Sequence, residues 1–549
     1  MFPILLIEDN SHNADHIKLI LGELGFFKEE LFVWKENYAA ARREIVKGVY
    51  PLVIVDFGLP AGGDEEGLLI DGESRGLDLI GRVGEWNRDV VFAAYSKPDR
   101  IQKHTKALLS HVVSNVLVKG TTEVDFINDV AGLCGLVRER FNYEQDFDIQ
   151  GLLRQAFDET NELSKFEIHW ELCIRRLFRD VRGVGMSFQK LKGGKSGAGV
   201  VSVHFDDQQR RPIILKLDRY ERLLDESRRC NEHALPYLSR FAMTRDEDLS
   251  QAGEFGILAY RLAGTSSFPT SLGSELAKSS FDRELVRNAI ADHFISNCKH
   301  WFPGFVLKYD DICAPFRRHL FAVNESSSIA TDEVTLDLDL RKRWAELSGA
   351  RAFTVAAEVL GVEIETVVAT IEGALHIDRF EVYCRFNGRV HGDLNVHNLI
   401  WDDGKLWLID FAKASDAMPA TTDFVKLEAS VKFDIACSDE SDLSAFAAKA
   451  LEVEEVLCAS LLVDEQGDRQ LEEFGNRLGV LSSLREAAHK LCSGEDLDQQ
   501  KRAYLSSLFF VTSKQVFYLL KDIQAGEDKE RQLVHAIISA YRLAVFMGN

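Results

Sequence analysis

Four short apolar runs near the amino terminus constrain the fold more than any other feature of the chain. They lie at 2–7, 52–55, 90–95 and 116–118, and helical stretches separate them. A strand that is apolar on both faces is typical of a parallel sheet covered by helices on both sides. The sequence therefore predicts an α/β domain built on a doubly wound parallel sheet.

Polar side chains follow each of these runs, and parallel strands bring their carboxyl ends to one edge of a sheet. The residues that follow the runs are Glu8, Asp9, Asp56, Ser96 and Lys119. Crowded carboxylates favour a divalent cation, and we expect Glu8, Asp9 and Asp56 to bind one. Asp56 could then attack a phosphodonor and carry an aspartyl phosphate. Ser96 and Lys119 would bind the new phosphoryl oxygens.

This pattern resembles the response-regulator receiver domain over residues 1–140. The resemblance implies a flavodoxin-like fold with a doubly wound, parallel five-stranded sheet. It also implies a phosphoacceptor at Asp56, and a cognate histidine kinase or another phosphodonor as partner. Gly120 is a departure, since proline commonly follows the lysine, and residues 61–76 form an insertion-like acidic stretch. The alternative is an ordinary flavodoxin-like module whose acidic residues only lie on loops in contact with solvent. Self-association as an oligomer through the receiver is left open.

A second constellation lies at His391–Asn398, with the sequence HGDLNVHN, and at Asp410, which follows the apolar run 406–409. Phosphoryl transfer uses an aspartate, an asparagine a few residues later and an aspartate at a strand end. Asp393 can accept or orient the proton of a substrate hydroxyl. The oxygens of Asn398 and Asp410 can hold Mg²⁺ against nucleotide phosphates. The sequence therefore predicts a metal–nucleotide site.

A nucleotide-holding lobe is predicted upstream of this site. A glycine-rich loop precedes a strand at 200–205, and Lys216 lies near the end of the next strand, 212–217. The backbone N–H groups of such a loop can approach phosphates. The loop residues predicted to do so are Gly193, Gly194, Ser196, Gly197 and Gly199. A Walker A motif is disfavoured, because Gln189 stands where its first glycine is needed.

A helix within 220–238 is expected to supply a glutamate that holds Lys216. Glu232 is preferred over Glu226, because Glu226 follows Lys216 by only ten residues. That interval barely allows a strand to end and a helical turn to form. The sequence alone leaves the choice between the two glutamates open.

From 193 to 428 the chain resembles the aminoglycoside-phosphotransferase-like branch of the protein-kinase-like superfamily. HGDLNVHN is similar to its catalytic loop and IDFAKA to its metal-binding strand end, although Ala412 replaces the glycine usual in protein kinases. The resemblance implies a bilobal α+β kinase-like domain with a large helical C-lobe. Such a domain would bind ATP, or another nucleoside triphosphate, with Mg²⁺. Its catalytic residues would be Asp393, Asn398, Asp410 and Lys216.

The receiver and kinase-like motifs predict four segments along the chain. They are a receiver at 1–140, a helical connector at 141–185, a kinase-like small lobe at 186–265 and a kinase-like helical large lobe at 266–549. Within the large lobe, the segments 284–304 and 340–385 are expected to be helical.

Composition disfavours several other classes of protein. The net charge of −22 argues against sequence-independent binding to nucleic acid, because lysine and arginine supply most of the affinity for its phosphates. The sequence contains no run of eighteen apolar residues, so no membrane span is expected. The 9 cysteines include no C-x-x-C pair, so neither a zinc site nor a disulfide framework is predicted. The expected setting is the cytoplasm.

We therefore expect a two-component signalling protein. In it, an aspartyl-phosphorylated receiver would regulate an ATP- and Mg-dependent phosphotransferase that acts on an unidentified small-molecule or protein hydroxyl. The alternative is a catalytically silent, nucleotide-binding pseudokinase that serves as a receiver-controlled interaction scaffold. A transcriptional regulator is a third interpretation, which the acidic balance disfavours.

Overall fold

The computed structural model describes residues 2–548 with the exception of several segments. The segments outside the description are 62–74, 81, 83–89, 104–114, 144–147, 157–166, 182–183, 192–197, 208–209, 239–244, 262–269, 299, 302–305, 322–349, 387, 435–441, 493–495 and 522–526. The chain divides into two compact units. The first comprises Met1–Asp225 with Asp246–Arg261, and the second comprises Glu226–Arg245 with Leu262–Asn549.

The first unit begins with the predicted parallel sheet. Its strands are β1 (Ile4–Ile7), β2 (Phe32–Lys35), β3 (Leu52–Asp56), β4 (Val91–Ser96) and β5 (Asn115–Val118). They are ordered β2-β1-β3-β4-β5 with every neighbouring pair parallel, which is the flavodoxin-like order. The helices of this region include α1 (Ser11–Glu23), α2 (Tyr38–Ile45) and α3 (Glu123–Phe141). The predicted fold of the amino-terminal region is confirmed.

Alternate residues of a central strand enter two different cores, which explains the continuous apolar sequence. Ile4 and Leu6 of β1 join one core, whereas Leu5 and Ile7 join the other. Successive side chains of a strand point to opposite faces of the sheet. Since both faces are covered, every residue of β1 is buried.

An antiparallel sheet completes the first unit. Its strands are β6 (Met186–Lys190), β7 (Gly199–Phe205), β8 (Ile213–Arg219), β9 (Arg245–Ala252) and β10 (Phe255–Arg261), in the order β6-β7-β8-β10-β9. Two more helices are described between α3 and this sheet in the sequence, α4 (Ile149–Ala156) and α5 (Glu167–Leu177). This sheet corresponds to the predicted kinase-like small lobe.

One hydrophobic core extends from the parallel sheet into the antiparallel sheet. Its members include Leu6 of β1, Phe141 of α3, Trp170 of α5, Val203 of β7 and Ile257 of β10. All of these side chains are buried. The two sheets therefore form one unit, because separating them would expose apolar surface to water.

Two glycines bring the turn after α2 against the turn between β9 and β10. Gly48 and Gly253 both have a φ of 64°, a left-handed conformation that favours glycine. A Cβ added to Gly48 would lie 2.0 Å from the backbone nitrogen of Gly253. A Cβ added to Gly253 would lie 2.3 Å from the carbonyl oxygen of Lys47. The receiver and the antiparallel sheet thus meet backbone to backbone here.

We expect Gly48→Ala to destabilise the first unit. The methyl group would meet backbone atoms and force a strained φ, which together should lower the free energy of unfolding by about 2–4 kcal/mol. Gly132→Ala in α3 is the matched control, because no atom lies within 4 Å of a Cβ there. The urea midpoint of each full-length variant measures the effect. Equal midpoints for the two variants would contradict the expected close approach.

The second unit is mainly helical. The helix α6 (Tyr220–Arg229) leads into it from β8 and continues as a π-helical turn, Cys230–Ala234. The helices that follow are α7 (Leu272–Leu276), α8 (Arg283–Ala291), α9 (Cys313–Phe321), α10 (Arg351–Leu360), α11 (Ile364–Leu375), α12 (Thr422–Phe433), α13 (Leu443–Ala459), α14 (Glu465–Phe474), α15 (Leu481–Cys492), α16 (Leu497–Lys521) and α17 (Glu527–Gly548). This region corresponds to the predicted helical large lobe.

The catalytic-loop sequence lies between two of the short strands of the second unit. The short strands are β11 (Thr270–Ser271), β12 (Val306–Asp311), β13 (Glu381–Phe386), β14 (Gly388–Val390), β15 (Leu399–Asp402), β16 (Lys405–Leu408) and β17 (Ser415–Met418). They form sheets ordered β11-β15-β16, β12-β13 and β14-β17. Within the described part of the chain, no helix is long and apolar enough to cross a membrane.

One sequence expectation is wrong in part. The segment 340–385 is helical in α10 and α11, as predicted, but its end belongs to the strand β13, which pairs with β12. Val382, Cys384 and Phe386 of β13 are buried, and the residues between them are less so. This alternation with a period of two fits a sheet with one covered face, and it outweighs the helical pattern of the preceding residues.

Buried charges tie α12 to the helices around it. Arg485 donates two hydrogen bonds to Glu428 of α12, at 2.8 and 2.7 Å. Lys432, also on α12, pairs with Glu454, which lies 2.8 Å from His535. Burial disfavours the ionised form of Glu454, but Lys432 and His535 outweigh it and lower the pKa to about 2. Removing one member of such a pair leaves a buried charge uncompensated.

Candidate functional site

Three carboxylates meet at the carboxyl ends of β1 and β3. Ligand oxygens of Glu8, Asp9 and Asp56 all lie within 4.8 Å of one another. Glu8 and Asp56 are buried, and Asp9 is exposed. An all-oxygen set of this kind suits a hard divalent cation such as Mg²⁺. The structure therefore brings together the residues from which the sequence predicts a receiver metal site.

Lys119 bridges two of these carboxylates. Its ammonium lies 2.8 Å from Glu8 and 2.9 Å from Asp56, and 4.5 Å from the centre of the Tyr95 ring. Burial raises the pKa of Glu8, and the hydrogen bond from Lys119 partly offsets that effect. The lysine thus neutralises part of the negative charge at this edge of the sheet.

Two buried oxygens beside Lys119 have no hydrogen-bond partner among the described residues. They are Oδ1 of Asp56 and the hydroxyl oxygen of Ser96, which ends β4. A buried polar atom without a partner is unfavourable. A cation or a phosphoryl group at Asp56 would satisfy these atoms, so the residues present fit the predicted aspartyl-phosphate chemistry.

The catalytic-loop sequence 391–398 joins β14 to β15 and is held by α12. The carboxylate of Asp423 accepts hydrogen bonds from the backbone N–H groups of His391 and Gly392, at 2.8 and 2.9 Å. The hydroxyl of Ser430 accepts one from the N–H group of Val396 at 3.1 Å. Burial raises the pKa of Asp423, whereas His391 and these hydrogen bonds act in the opposite sense.

Hydrogen bonds within the loop orient its asparagines. The side-chain oxygen of Asn395 accepts from the N–H groups of His397 and Asn398, at 2.9 and 3.1 Å. The side-chain nitrogen of Asn398 donates to the carbonyl oxygen of Asp393 at 2.9 Å. Since the nitrogen of Asn398 is engaged, its amide oxygen is the atom that would bind a metal. Asn398 is buried, whereas the side chain of Asp393 is 53% exposed.

The hairpin formed by β15 and β16 places Asp410 beside Asn398. Leu399 pairs with Leu408, and the N–H group of Ile409 donates to the carbonyl oxygen of Asn398 at 3.1 Å. Asp410 follows with a φ of 66°. A side chain with a left-handed backbone is strained, and such strain is found often at functional sites. The ring of His391, 2.8 Å from the carbonyl oxygen of Ile409, ties the hairpin to the catalytic loop.

The antiparallel sheet of the first unit holds a buried lysine and a buried glycine. Lys216 of β8 is 5% exposed, and Gly199 begins β7. The other predicted loop residues, Gly193, Gly194, Ser196 and Gly197, lie outside the described residues. Glu226 is 2% exposed, whereas the side chain of Glu232 is 58% exposed and lies 3.9 Å from His233. Burial distinguishes the two glutamates, and the choice of partner for Lys216 stays a prediction.

Sequence reasoning assigned no role in the site to His391 or Lys426. Lys426 follows Asp423 by one helical turn of α12. Its ammonium donates a hydrogen bond to the carbonyl oxygen of Gly392 and lies 3.3 Å from Oδ1 of Asp393. The sequence does not indicate this contact, because Lys426 is far from the loop along the chain and only the packing of α12 brings the two together.

Comparisons with known proteins identify similar folds at low sequence identity. A family model described as Ternary complex associated domain 9 matches residues 353–514. A search of curated proteins found no match. The receiver domain of a sensor histidine kinase from Pseudomonas aeruginosa is 20% identical, with a TM-score of 0.19, over 25% of this chain and 97% of that one.

Two phosphotransferase structures are similar to the remainder of the chain. A macrolide 2'-phosphotransferase from Brachybacterium faecium is 13% identical, with a TM-score of 0.30, over 66% of this chain and 96% of that one. A spectinomycin phosphotransferase is 10% identical, with a TM-score of 0.32, over 69% and 98%. At these scores the similarities carry no argument by themselves. The strand orders of the two sheets decide the fold. The chain joins a receiver fold to a kinase-like fold.

We expect Asp423→Ala to destabilise the second unit and loosen the catalytic loop. The change leaves the N–H groups of His391 and Gly392 without their acceptor, which should lower the free energy of unfolding by about 2–4 kcal/mol. Asp416→Ala is the control, because Asp416 is exposed on β17. Urea denaturation of both variants measures the difference. The expectation is wrong if the two midpoints agree.

Proposed function

We propose that the kinase-like part of this protein is an ATP- and Mg²⁺-dependent phosphotransferase, controlled by phosphorylation of the receiver at Asp56. The observation that carries the first half is the catalytic loop. Asp393, Asn398 and Asp410 lie on one loop and one hairpin, which Asp423 and His391 hold together. This is the set of oxygen-bearing groups that phosphoryl transfer requires.

The roles of these residues follow from their chemistry. The amide oxygen of Asn398 and the carboxylate of Asp410 would hold Mg²⁺, which supplies charge neutralisation for the nucleotide phosphates. Asp393 is exposed enough to meet an acceptor hydroxyl and would take its proton. The acceptor oxygen forms a bond to the γ-phosphorus. The bond from that phosphorus to the β–γ bridging oxygen breaks, and ADP leaves with the electron pair.

Asp393→Ala tests the proposed transfer. Removal of a general base should lower transfer of the ATP γ-phosphate, to the protein or to water, by about a hundredfold or more. Mg–nucleotide binding should persist, because Asp393 acts on the acceptor and not on the metal. Asp410→Ala should instead weaken Mg–nucleotide binding. Transfer of radiolabelled γ-phosphate and a nucleotide-binding titration measure the two effects.

Asp416→Ala serves as the control for Asp393→Ala, since it removes an exposed carboxylate from β17. Equal transfer by Asp393→Ala and the wild type would contradict the assigned role. The proposed phosphotransferase activity would be contradicted if the wild type binds Mg–nucleotide but transfers no phosphate, even with a range of hydroxyl acceptors. That result would then support a nucleotide-binding scaffold.

The regulatory half of the proposal is supported by the first unit. Lys119, which contacts Asp56, precedes α3 closely. The end of α3 contacts α5, because the guanidinium of Arg176 lies 5.0 Å from the ring of Phe141. The same guanidinium donates a hydrogen bond to the carbonyl oxygen of Gln251 in β9. A change at Asp56 would therefore reach the antiparallel sheet through packed side chains.

Beryllofluoride, which mimics an aspartyl phosphate, tests this control. It should change the wild-type transfer rate, or the affinity for Mg–nucleotide, by about fivefold or more. Asp56→Asn should show no response, and this variant also reveals any effect of beryllofluoride at the nucleotide site. Arg176→Lys should weaken the response, because a lysine cannot reproduce the planar contact of the guanidinium.

Arg179→Ala is the matched control for Arg176→Lys. Its side chain is 60% exposed and pairs with Asp180, just beyond the end of α5. This variant should respond to beryllofluoride as the wild type does. Control by the receiver is excluded if the wild type and Asp56→Asn respond alike, or if neither responds.

A further inference from the structure

Lys426 occupies an unusual place for a lysine. Its side chain is 11% exposed, whereas the carboxylate 3.3 Å away, that of Asp393, is 53% exposed. The ammonium also donates a hydrogen bond to the carbonyl oxygen of Gly392. One cation thus contacts two consecutive residues of the catalytic loop, including the residue assigned as the base.

A purely structural role accounts poorly for this arrangement. Burying an ammonium is unfavourable, and an ion pair with a half-exposed carboxylate contributes little to stability. A neutral donor could have satisfied the carbonyl of Gly392 at a smaller penalty. The charge is therefore better explained by what it does to the carboxylate of Asp393 than by what it does for folding.

We propose that Lys426 is a positioning residue of the phosphotransfer site, which fixes the orientation of the Asp393 carboxylate. This inference rests on the proposed function. An ammonium at this distance attracts a carboxylate. The contact with Gly392 fixes the ammonium, so that the carboxylate has a fixed partner. Orientation of a reacting group by neighbours of this kind accounts for large rate factors.

The groups that act on Lys426 give the proposal a pH signature. Burial lowers the pKa of Lys426, and the positive charge of Lys514 acts in the same direction, whereas Asp393 and Asp423 oppose it. A lysine with a lowered pKa loses its proton as pH rises through that value, below the range usual for lysine. Activity that depends on the ammonium should therefore fall on the alkaline side. Arginine at this position would stay protonated and keep the activity.

Two substitutions in the full-length protein separate positioning from folding. Lys426→Met should lower kcat by roughly tenfold to a hundredfold with little change in the KM for Mg–ATP. Lys426→Arg should restore much of kcat and move the alkaline limb of the pH–rate profile to higher pH. Lys490→Met is the control, because the side chain of Lys490 is 50% exposed on α15. The proposal fails if Lys426→Met behaves as Lys490→Met does, or if Lys426→Arg and the wild type share one alkaline limb.

A second measurement does not need turnover. Competitive acetylation, followed by mass spectrometry of the peptide that contains Lys426, reports the fraction of neutral amine. Asp393→Asn removes the opposing carboxylate, so labelling of Lys426 at a fixed pH should rise about threefold or more. Unchanged labelling would overturn the proposed pairing whether or not the protein is active. Increased labelling together with a wild type that transfers no phosphate would instead overturn the proposed function alone.

Discussion

The structure of the kinase-like site depends on the helix α12, which satisfies the buried polar groups of the catalytic loop. Asp423, Lys426 and Ser430 follow one another at helical spacing and all contact the loop. Residues three, four and seven positions apart lie on one face of a helix. A loop made of backbone turns cannot be buried unless its N–H and carbonyl groups find partners. One face of α12 supplies them.

The other contacts of α12 explain why it can hold the loop in place. Glu428 and Lys432 are fully buried, and they pair with Arg485 of α15 and Glu454 of α13. These pairs are sensitive to geometry, because a buried charge that loses its partner destabilises the fold strongly. The helix is thereby fixed on one side by charge and presents donors and acceptors on the other. The helix α12 thus supplies hydrogen-bond partners that the loop sequence itself does not contain.

The sequence predicted what is local and missed what depends on packing. The strands β1, β3 and β4 could be predicted, because burial on both faces demands continuous apolar residues. The gathering of Glu8, Asp9 and Asp56 followed from the parallel order of the strands. The choice between Glu226 and Glu232 could not be made, since helical spacing alone does not say which face is buried. The contact between Lys426 and the catalytic loop could not be predicted for the same reason.

The core shared by the two sheets could not be predicted from the sequence either. An amphipathic helix such as α5 is predicted from its apolar spacing, but that spacing does not name the surface on which it packs. The structure shows that Trp170 of α5 packs edge-on against Phe255 of β10, with ring centres 5.3 Å apart. The helices α4 and α5 thus belong to the core that the parallel and antiparallel sheets share.

Arg485 and Lys119 hold their carboxylate partners in different ways. Arg485 binds Glu428 through two parallel hydrogen bonds, and the planar guanidinium loses both if it moves. Lys119 is instead a point charge on a flexible stem, beside the carboxylate of Asp56. A phosphoryl group at Asp56 offers Lys119 new oxygens only a short distance away. Arginine in its place would bind more rigidly, and lysine can follow the charge.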